Sequence, residues 1–250
     1  MKNKRNAGFT LAEVLITLGI IGVVAAMTIP TLIANTNGAK FRSQFKKTLS
    51  TLNQAVRSNV AQYDFDFSMV QNCGNKDKDN PENIQSICAM LNGSLVGKYA
   101  TKYSTLKTID NKIYFQVVFD GTAPDTLIEN KGVELYMYQL SDGSIFAFHS
   151  PFEGQSGDVA CSLNGRSLED AFKDTQFQKF CIGYIDVNGT TKPNKEVRCS
   201  DGKSHSKDIN EKCVVPNSPK FMGDVFPVAY YDMTVVPASA ASRYILNSAK

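Results

Sequence analysis

A single carboxylate, Glu13, lies in an apolar run that extends from Phe9 to Ile33. A charged side chain at membrane depth costs about 2.5–3.5 kcal/mol on insertion scales, so such a residue normally has a partner. Cleavage of the chain after Gly8 would expose the α-amino group of Phe9, a cation about one helical turn before Glu13, and opposite charges meet at that spacing. The sequence therefore predicts a helix whose acid pairs with a newly formed chain end, either its own or that of a neighbour.

The residues before this run form a short basic leader that carries Lys2, Lys4 and Arg5 and no acid. It leads directly into residues 8–16, GFTLAEVLI. This segment resembles the cleavage and methylation segment of type IV prepilins and type II secretion pseudopilins. The leader, the glycine, the phenylalanine, the glutamate and the apolar run all stand at the spacing of that family, over roughly the first thirty residues.

The resemblance implies how the chain is processed and what it builds. A prepilin peptidase would cut between Gly8 and Phe9 on the cytoplasmic side and would N-methylate Phe9. Glu13 would then neutralise the Phe9 amine of an adjacent subunit, and Pro30 matches the proline that often kinks this helix in pilins. The implied product is a structural subunit, not an enzyme, of a type II secretion pseudopilus or a type IV pilus-like filament. The implied partners are the peptidase, copies of itself or other pilins and pseudopilins, the assembly platform and secretion machinery, and membrane lipid before assembly.

Other interpretations of the apolar run remain open. An ordinary secretory signal, cleaved after residues 24–26 (VAA), would release a soluble binding protein or enzyme that starts at Met27. An anchor that is never cut would remain a single membrane span. Neither explains Glu13, because both must bear the cost of placing its charge in lipid. Within the resembling family, an adhesive or DNA-uptake pilin is the alternative to a secretion pseudopilin.

The charge balance argues against a nucleic-acid partner. The chain has 27 Lys and Arg against 24 Asp and Glu, and three of the basic residues lie in the leader, so its removal leaves 24 of each sign. Nucleic-acid binding usually shows itself as a basic excess, and the composition of the mature chain has none.

The six cysteines all follow the apolar run, and their even number predicts disulfides in an oxidising compartment. We therefore expect a single pass through the cytoplasmic (inner) membrane with the C-terminal domain outside the cytoplasm, and later a periplasmic or cell-surface filament. Many connectivities are open, and pairing of sequence neighbours is preferred among them: Cys73–Cys88, Cys161–Cys181 and Cys199–Cys213.

Apolar residues recur three or four apart beyond Ile33, which predicts an amphipathic helix with one buried stripe and a weak point at residues 35–38 (NTNG). We expect an α+β fold, in which the long N-terminal helix packs on a small antiparallel sheet of three or four strands, as in pilins, with disulfide-stapled loops. The predicted parts are a leader (1–8), a transmembrane or filament-core helix (9–33), an amphipathic helix (34–63) and an extracytoplasmic globular domain (64–250).

Within the globular part, alternating and β-branched runs predict strands, whereas polar clusters with Gly, Asn and Pro predict loops. The best hairpin joins two strands through the turn at residues 141–143. The predicted elements are strands at 113–119, 133–140, 144–148 and 181–187, helices at 83–91 and 163–180, loops at 72–83 and 190–212, and a fraying tail at 238–250.

No pattern in the globular part proposes a reaction. His149 and His205 lack a matching Cys, Asp or Ser constellation, and the sequence has no phosphate-binding loop. The C-terminal region resembles that of pseudopilin-like proteins, in some of which oxygen-rich loops hold calcium. By that resemblance, a calcium ion would be held by Asp186, Asn188, Asn194 and Asp224. The interpretation preferred from the sequence is a tight turn at residues 188–189 with no metal, so no cofactor is expected.

Overall fold

The structure, a computed structural model, describes residues 9–69, 85–102, 134–150, 161–189, 191, 193, 195–206 and 208–248. Several predicted features lie outside these residues: the leader with Gly8, the loop at 72–83, Cys73, the strand at 113–119 and Asn194.

One helix, α1 (Leu11–Tyr63), forms the spine of the molecule. It has 53 residues and is therefore about 80 Å long. The weak point predicted at residues 35–38 is wrong, because α1 continues through it. Gly38 is instead buried where a loop meets the helix, and an added Cβ would come within 1.9 Å of the Asn217 Oδ1. Pro30 also lies inside α1, and the kink there stays a prediction.

The described strands form one antiparallel sheet of six, in which neighbours in sequence are neighbours in space. Among the described residues, the shorter elements comprise a 3₁₀ turn at Phe67–Met69 and four helices. The strands are β1 (Gly97–Lys102), β2 (Glu134–Leu140), β3 (Ile145–Ser150), β4 (Ile182–Asp186), β5 (Val225–Tyr231) and β6 (Thr234–Pro237), and the helices are α2 (Ile87–Ser94), α3 (Leu168–Ala171), α4 (Thr175–Phe180) and α5 (Ala240–Asn247). The α+β architecture predicted from the sequence is confirmed.

The hairpin of β2 and β3 forms as predicted, with pairs from Glu134↔Ser150 to Gln139↔Ile145. Hydrogen bonds between residues of the turn stabilise it. The Asp142 Oδ1 accepts hydrogen bonds from the backbone N–H and the hydroxyl of Ser144, at 3.1 and 2.6 Å. Gly143 adopts φ +87, a left-handed conformation that glycine reaches without steric cost.

The apolar stripe of α1 packs against the sheet, as the helical periodicity predicts. The rings of Phe45 and Phe226 stack with centroids 4.3 Å apart, which joins α1 to β5. Burying one such aromatic or aliphatic side chain contributes about 1.5–3 kcal/mol. The buried stripe consists of Phe41, Phe45, Leu49, Leu52 and Val56.

Besides the weak point at residues 35–38, four sequence-based expectations need correction. The sheet has six strands among the described residues, because β5 and β6 follow the predicted ones. The helix expected at 83–91 begins only after the N-cap Ser86, whose hydroxyl accepts from Ala89 N at 3.0 Å, and it continues to Ser94. The helix expected at 163–180 is two short helices, α3 and α4. The strand expected at 181–187 is confirmed as β4.

The fourth correction concerns the tail at 238–250, which is predicted to fray. It forms the helix α5 at Ala240–Asn247 instead. Small side chains at Ala238 and Ala241 are buried, so they allow close packing against the core. Two cations of α1 bind the C-terminal end of α5, where helix carbonyls lack partners. Lys46 Nζ donates to Ser248 O at 2.5 Å, and Arg42 donates to Ser248 Oγ at 3.5 Å.

Two of the three preferred cysteine pairs occur as disulfides in the structure, Cys161–Cys181 and Cys199–Cys213, with Cα atoms 5.4 and 5.3 Å apart. Each closes a short loop and therefore restricts the unfolded chain, an effect of about 3 kcal/mol for loops of this size. Cys88 is buried and disulfide-bonded, and its pairing with Cys73 stays a prediction.

Asn53 of α1 closes the open edge of β6. Its Oδ1 accepts from Val235 N at 2.9 Å and from Thr234 Oγ1 at 3.1 Å, and its Nδ2 donates to Val235 O at 2.9 Å. The amide thus pairs with the strand edge as another strand would. We expect Asn53→Ala to lower the free energy of unfolding by about 1–3 kcal/mol, because it leaves backbone groups without partners. Urea unfolding of the detergent-solubilised chain would measure this, and the exposed Gln54→Ala, on the next residue, should change little.

Candidate functional site

The start of α1 holds Glu13 in a capping box with Thr10. Both the backbone N–H and the hydroxyl of Thr10 donate to Glu13 Oε2, each at 2.8 Å, and Glu13 N donates back to Thr10 Oγ1 at 3.3 Å. The carboxylate is thereby turned toward the helix N-terminus, beside the residue that directly follows Phe9. A negative charge is favourable at that end of a helix. The sequence-based interpretation missed Thr10, although Thr-x-x-Glu before an apolar run is the signature of this motif.

The segment after Glu13 presents apolar side chains on all sides. Leu11–Pro30 is long and apolar enough to cross a membrane, and none of it is buried against the rest of the described fold. Its hydroxyls are satisfied within the helix, since Thr17 Oγ1 donates to Val14 O at 2.9 Å and Thr28 Oγ1 to Val24 O at 3.0 Å. Lipid, or the interior of a helical filament, requires such internal satisfaction because it offers no water.

This helix is also open to close approach by another helix. A Cβ added at Gly19 or Gly22 would meet nothing within 4 Å. Small residues on one side of a membrane helix let a second backbone pack against it. The N-terminal half of α1 therefore lacks a packing partner within the described chain, whereas its C-terminal half is covered by the sheet.

The predicted calcium ligands are only partly brought together. Asp186 ends β4 and pairs with Val225, which follows Asp224, so both acids lie near one end of the sheet and are buried. Each already accepts a backbone hydrogen bond: Asp186 Oδ1 from Asn188 N at 3.1 Å, and Asp224 Oδ1 from Lys195 N at 2.7 Å. Such hydrogen bonds are typical of acids that stabilise a loop. The calcium site stays a prediction.

A second cluster of potential ligands does not form a metal site. Cys199, Asp201 and His205 lie close together, and His205 Nε2 is 2.6 Å from Asp201 Oδ2. The sulfur of Cys199, however, is bonded to Cys213. Metal sites use the thiolate form of cysteine, which a disulfide sulfur cannot supply. The contact between Asp201 and His205 therefore links two residues of the loop that the Cys199–Cys213 disulfide closes. His149, the other histidine, lies in β3.

Glu196 is a buried acid that sequence reasoning missed. Only 3% of it is exposed, Ser206 Oγ donates to its Oε1 at 3.2 Å, and its Oε2 has no hydrogen-bond partner among the described residues. Burial raises the pKa of Glu196 to about 7, against the lowering effects of hydrogen bonds from Ser204 and Ser206 and of the nearby charge on Arg198. The carboxyl group therefore keeps its proton in the folded chain at pH values where an exposed one has lost it.

This burial predicts a pH-dependent stability. In the folded chain, the pKa of Glu196 is raised above the unfolded value of 4.5. Its contribution to the free energy of unfolding is therefore fully present below pH 4.5 and is lost as the pH rises to about 7. The loss amounts to roughly 3 kcal/mol across that interval. We expect Glu196→Gln, which carries no charge, to be more stable than the wild type at pH 8 and similar at pH 4.5.

Urea unfolding at both pH values measures this difference. The exposed Glu211→Gln is the matched control, and its difference from the wild type should not vary with pH. Equal sensitivity of the two variants to pH would show that the buried carboxyl is not the origin of the effect.

The N-terminal segment is also identified by comparison with known families. Residues 3–29 match the family model described as the prokaryotic N-terminal methylation motif, the signature of the prepilin-type segments of type IV pilins and pseudopilins. No curated protein and no solved structure matches the chain significantly. The chain thus combines a prepilin-type processing signature with an α+β, pilin-like fold.

Proposed function

We propose that this chain is a structural pilin-like subunit, which prepilin peptidase cuts after Gly8 and methylates on Phe9, and which then assembles into a type II secretion pseudopilus. The observation that carries this proposal is the methylation motif at residues 3–29, whose residues 11–29 lie in the part of α1 that no other described part of the fold covers. An uncovered apolar helix must be kept out of water. In this proposal, lipid covers it before assembly and other subunits cover it in the filament.

The charge pair accounts for order in the assembly. Before assembly, Thr10 shields the Glu13 carboxylate by two hydrogen bonds, which lowers the cost of holding it near the membrane. After cleavage, the Phe9 amine is a cation close to this carboxylate. When subunits stack, the Glu13 of one meets the Phe9 amine of the next, and this pairing in a medium of low polarity sets the register of the helices.

The packing of α1 supplies the rest of the interaction. Helices in lipid gain little from the hydrophobic effect on association, so close packing and polar contacts must drive it. The uncovered apolar segment with its small residues at Gly19 and Gly22 meets that requirement.

Mass spectrometry of the mature N terminus tests the processing step. The proposal expects a chain that begins at N-methylated Phe9 when a prepilin peptidase is present, and the full precursor when the peptidase is absent. Gly8→Leu should leave the precursor uncut. A chain that begins at Met27 would instead support a soluble exported protein released by signal peptidase, and would contradict the proposal.

The choice of a secretion pseudopilus rests on the resemblance of the C-terminal region to pseudopilin-like proteins. Co-expression with a type II secretion platform, and separately with a type IV pilus platform, tests it. Fibres detected by an antibody against residues 134–250 only with the first platform support the pseudopilus. Fibres only with the second would assign the subunit to an adhesive or DNA-uptake pilus.

A further inference from the structure

A cleft of about 600 Å³ lies where α1 enters the globular part. One wall is the helix from Asn37 to Gln44, and the other is formed by the segments after β4 and before β5. Gly38 makes this arrangement possible, since the loop carrying Asn217 and Met222 approaches the helix backbone there. Apolar side chains form part of the lining and polar groups form the rest.

The membrane-proximal end of the cleft lies near the level of lipid headgroups if α1 spans a bilayer, which rests on the proposed function, whereas Gln44 lies about 16 Å beyond Ile33. At 1.5 Å per residue, Asn37 is about 6 Å and Lys40 about 10 Å beyond Ile33, the end of the apolar run. The headgroup layer extends about 5–8 Å beyond the hydrocarbon on each side. Lysine side chains from the cleft can therefore reach this layer along their flexible stems.

The charges of the cleft favour an anion. Lys40 and Lys195 both line it, and neither ammonium has an ion-pair partner among the described residues. Asp142 is the acid in the lining, and its carboxylate is already engaged by Lys47 Nζ at 3.0 Å and by Ser144. The two lysines are thus left to bind a negatively charged group.

A ligand hydroxyl group could donate a hydrogen bond to Gln44 Oε1, a further polar atom of the cleft. Gln44 lines the cleft, and its Oε1 is shielded from solvent without a hydrogen-bond partner among the described residues. A buried acceptor of this kind is costly when it is left unpaired. A ligand that carries both a phosphate for the lysines and a hydroxyl for this amide would complement the site.

We propose that this cleft binds the phosphoglycerol headgroup of an anionic phospholipid in the leaflet next to the globular part. The phosphate lies between Lys40 and Lys195, and a glycerol hydroxyl donates to Gln44. The bound headgroup holds the globular part against the bilayer while the subunit waits in the membrane, and it is released when the helix leaves the lipid for a filament.

Native mass spectrometry of the full chain, released from nanodiscs of mixed phosphatidylcholine and phosphatidylglycerol, tests this proposal. We expect retained phosphatidylglycerol to exceed its share of the bilayer by several-fold. Each of Lys40→Gln and Lys195→Gln should reduce that enrichment about fivefold, the usual effect of one lysine near an anionic surface. The exposed lysines Lys203 and Lys212 serve as matched controls, and their replacement by glutamine should leave the enrichment unchanged.

Two further arms separate headgroup recognition from simpler binding. Phosphatidylserine, which is anionic but has no glycerol headgroup, should be enriched less, and Gln44→Leu should abolish this difference. Inorganic phosphate added to the chain in pure phosphatidylcholine nanodiscs should not bind. Equal enrichment of both anionic lipids, or saturable binding of free phosphate, would overturn the proposal.

Failure here is distinguishable from failure of the proposed function. A chain that starts at methylated Phe9 and forms fibres, yet shows no lipid enrichment, overturns the headgroup site alone. A chain that starts at Met27 has lost the span, and it overturns both proposals.

Discussion

Glu13→Leu is expected to abolish incorporation of the subunit into filaments while cleavage after Gly8 continues. Leucine suits lipid better than a carboxylate does, so the variant should insert into the membrane at least as well as the wild type. What it loses is the partner of the Phe9 amine, which would then be buried in the filament as an unpaired charge. An uncompensated buried charge costs about 3–5 kcal/mol, which corresponds to a loss of fibres of a hundredfold or more.

The variant Glu13→Gln distinguishes the role of the Glu13 charge from its role in the capping box. Glutamine can occupy the same position in a capping box and accept the bonds that Thr10 donates, at 2.8 Å in the wild type, but it carries no charge. We expect it to fail in assembly almost as completely as the leucine variant.

Fibre yield by immuno-electron microscopy and the mature N terminus by mass spectrometry are the two measurements. Thr17→Val serves as a control, because it removes a polar group from the same helix whose hydroxyl bonds only to Val14 O. Normal fibres from Glu13→Gln would show that the ion pair is not required. Normal fibres from both Glu13 variants would remove the basis of the proposed mechanism.

Gly223→Ala is expected to destabilise the globular part strongly. A Cβ at this position would lie 2.1 Å from Lys195 O and 2.7 Å from the carbonyl carbon of Glu196. Both obstacles are backbone, so no side chain can rotate away. Lys195 O accepts from Asp224 N and Val225 N, each at 3.0 Å, and these bonds must lengthen if the two segments separate.

Separation of the segments would also disturb the elements on either side. Glu196 pairs with Val225, and Lys195 N donates to Asp224 Oδ1, so the junction joins β5 to the start of the disulfide loop. Overpacking of this kind costs about 3 kcal/mol, a large part of the 5–15 kcal/mol that stabilises an ordinary domain.

Gly202→Ala is the matched control for this variant. Gly202 has φ +87, but an added Cβ there meets nothing within 4 Å. It therefore measures the backbone strain alone, about 1–2 kcal/mol. Urea unfolding should show a clearly larger loss for Gly223→Ala. An equal or smaller loss would mean that the backbone at Lys195 yields readily, and that this junction is not a rigid part of the fold.

Local patterns of residues predicted much of this molecule. The apolar run that carries Glu13 and the hairpin around Asp142 each depend on residues a few positions apart, so their spacing in the chain already specifies their geometry. The capping box of Thr10 and Glu13 is equally local, and the Thr-x-x-Glu pattern predicts it, although the sequence-based interpretation missed it. The pairing of Cys161 with Cys181 belongs to the same class, because a short loop brings its own ends together. For the same reason the motif at residues 3–29 is readable without any knowledge of the rest.

The tertiary structure alone decided the features whose partners are remote in sequence. By its low helix propensity, Gly38 predicts a break in the helix. In the structure, its lack of a side chain leaves room for Asn217, which packs against the helix there. Asn53 looks like an ordinary polar helix residue until β6 lies beside it, and Glu196 looks exposed until the disulfide loop covers it. For residues other than proline, local helix propensity is worth at most about 1 kcal/mol per residue, whereas burial and long-range hydrogen bonds contribute more, and so they override it.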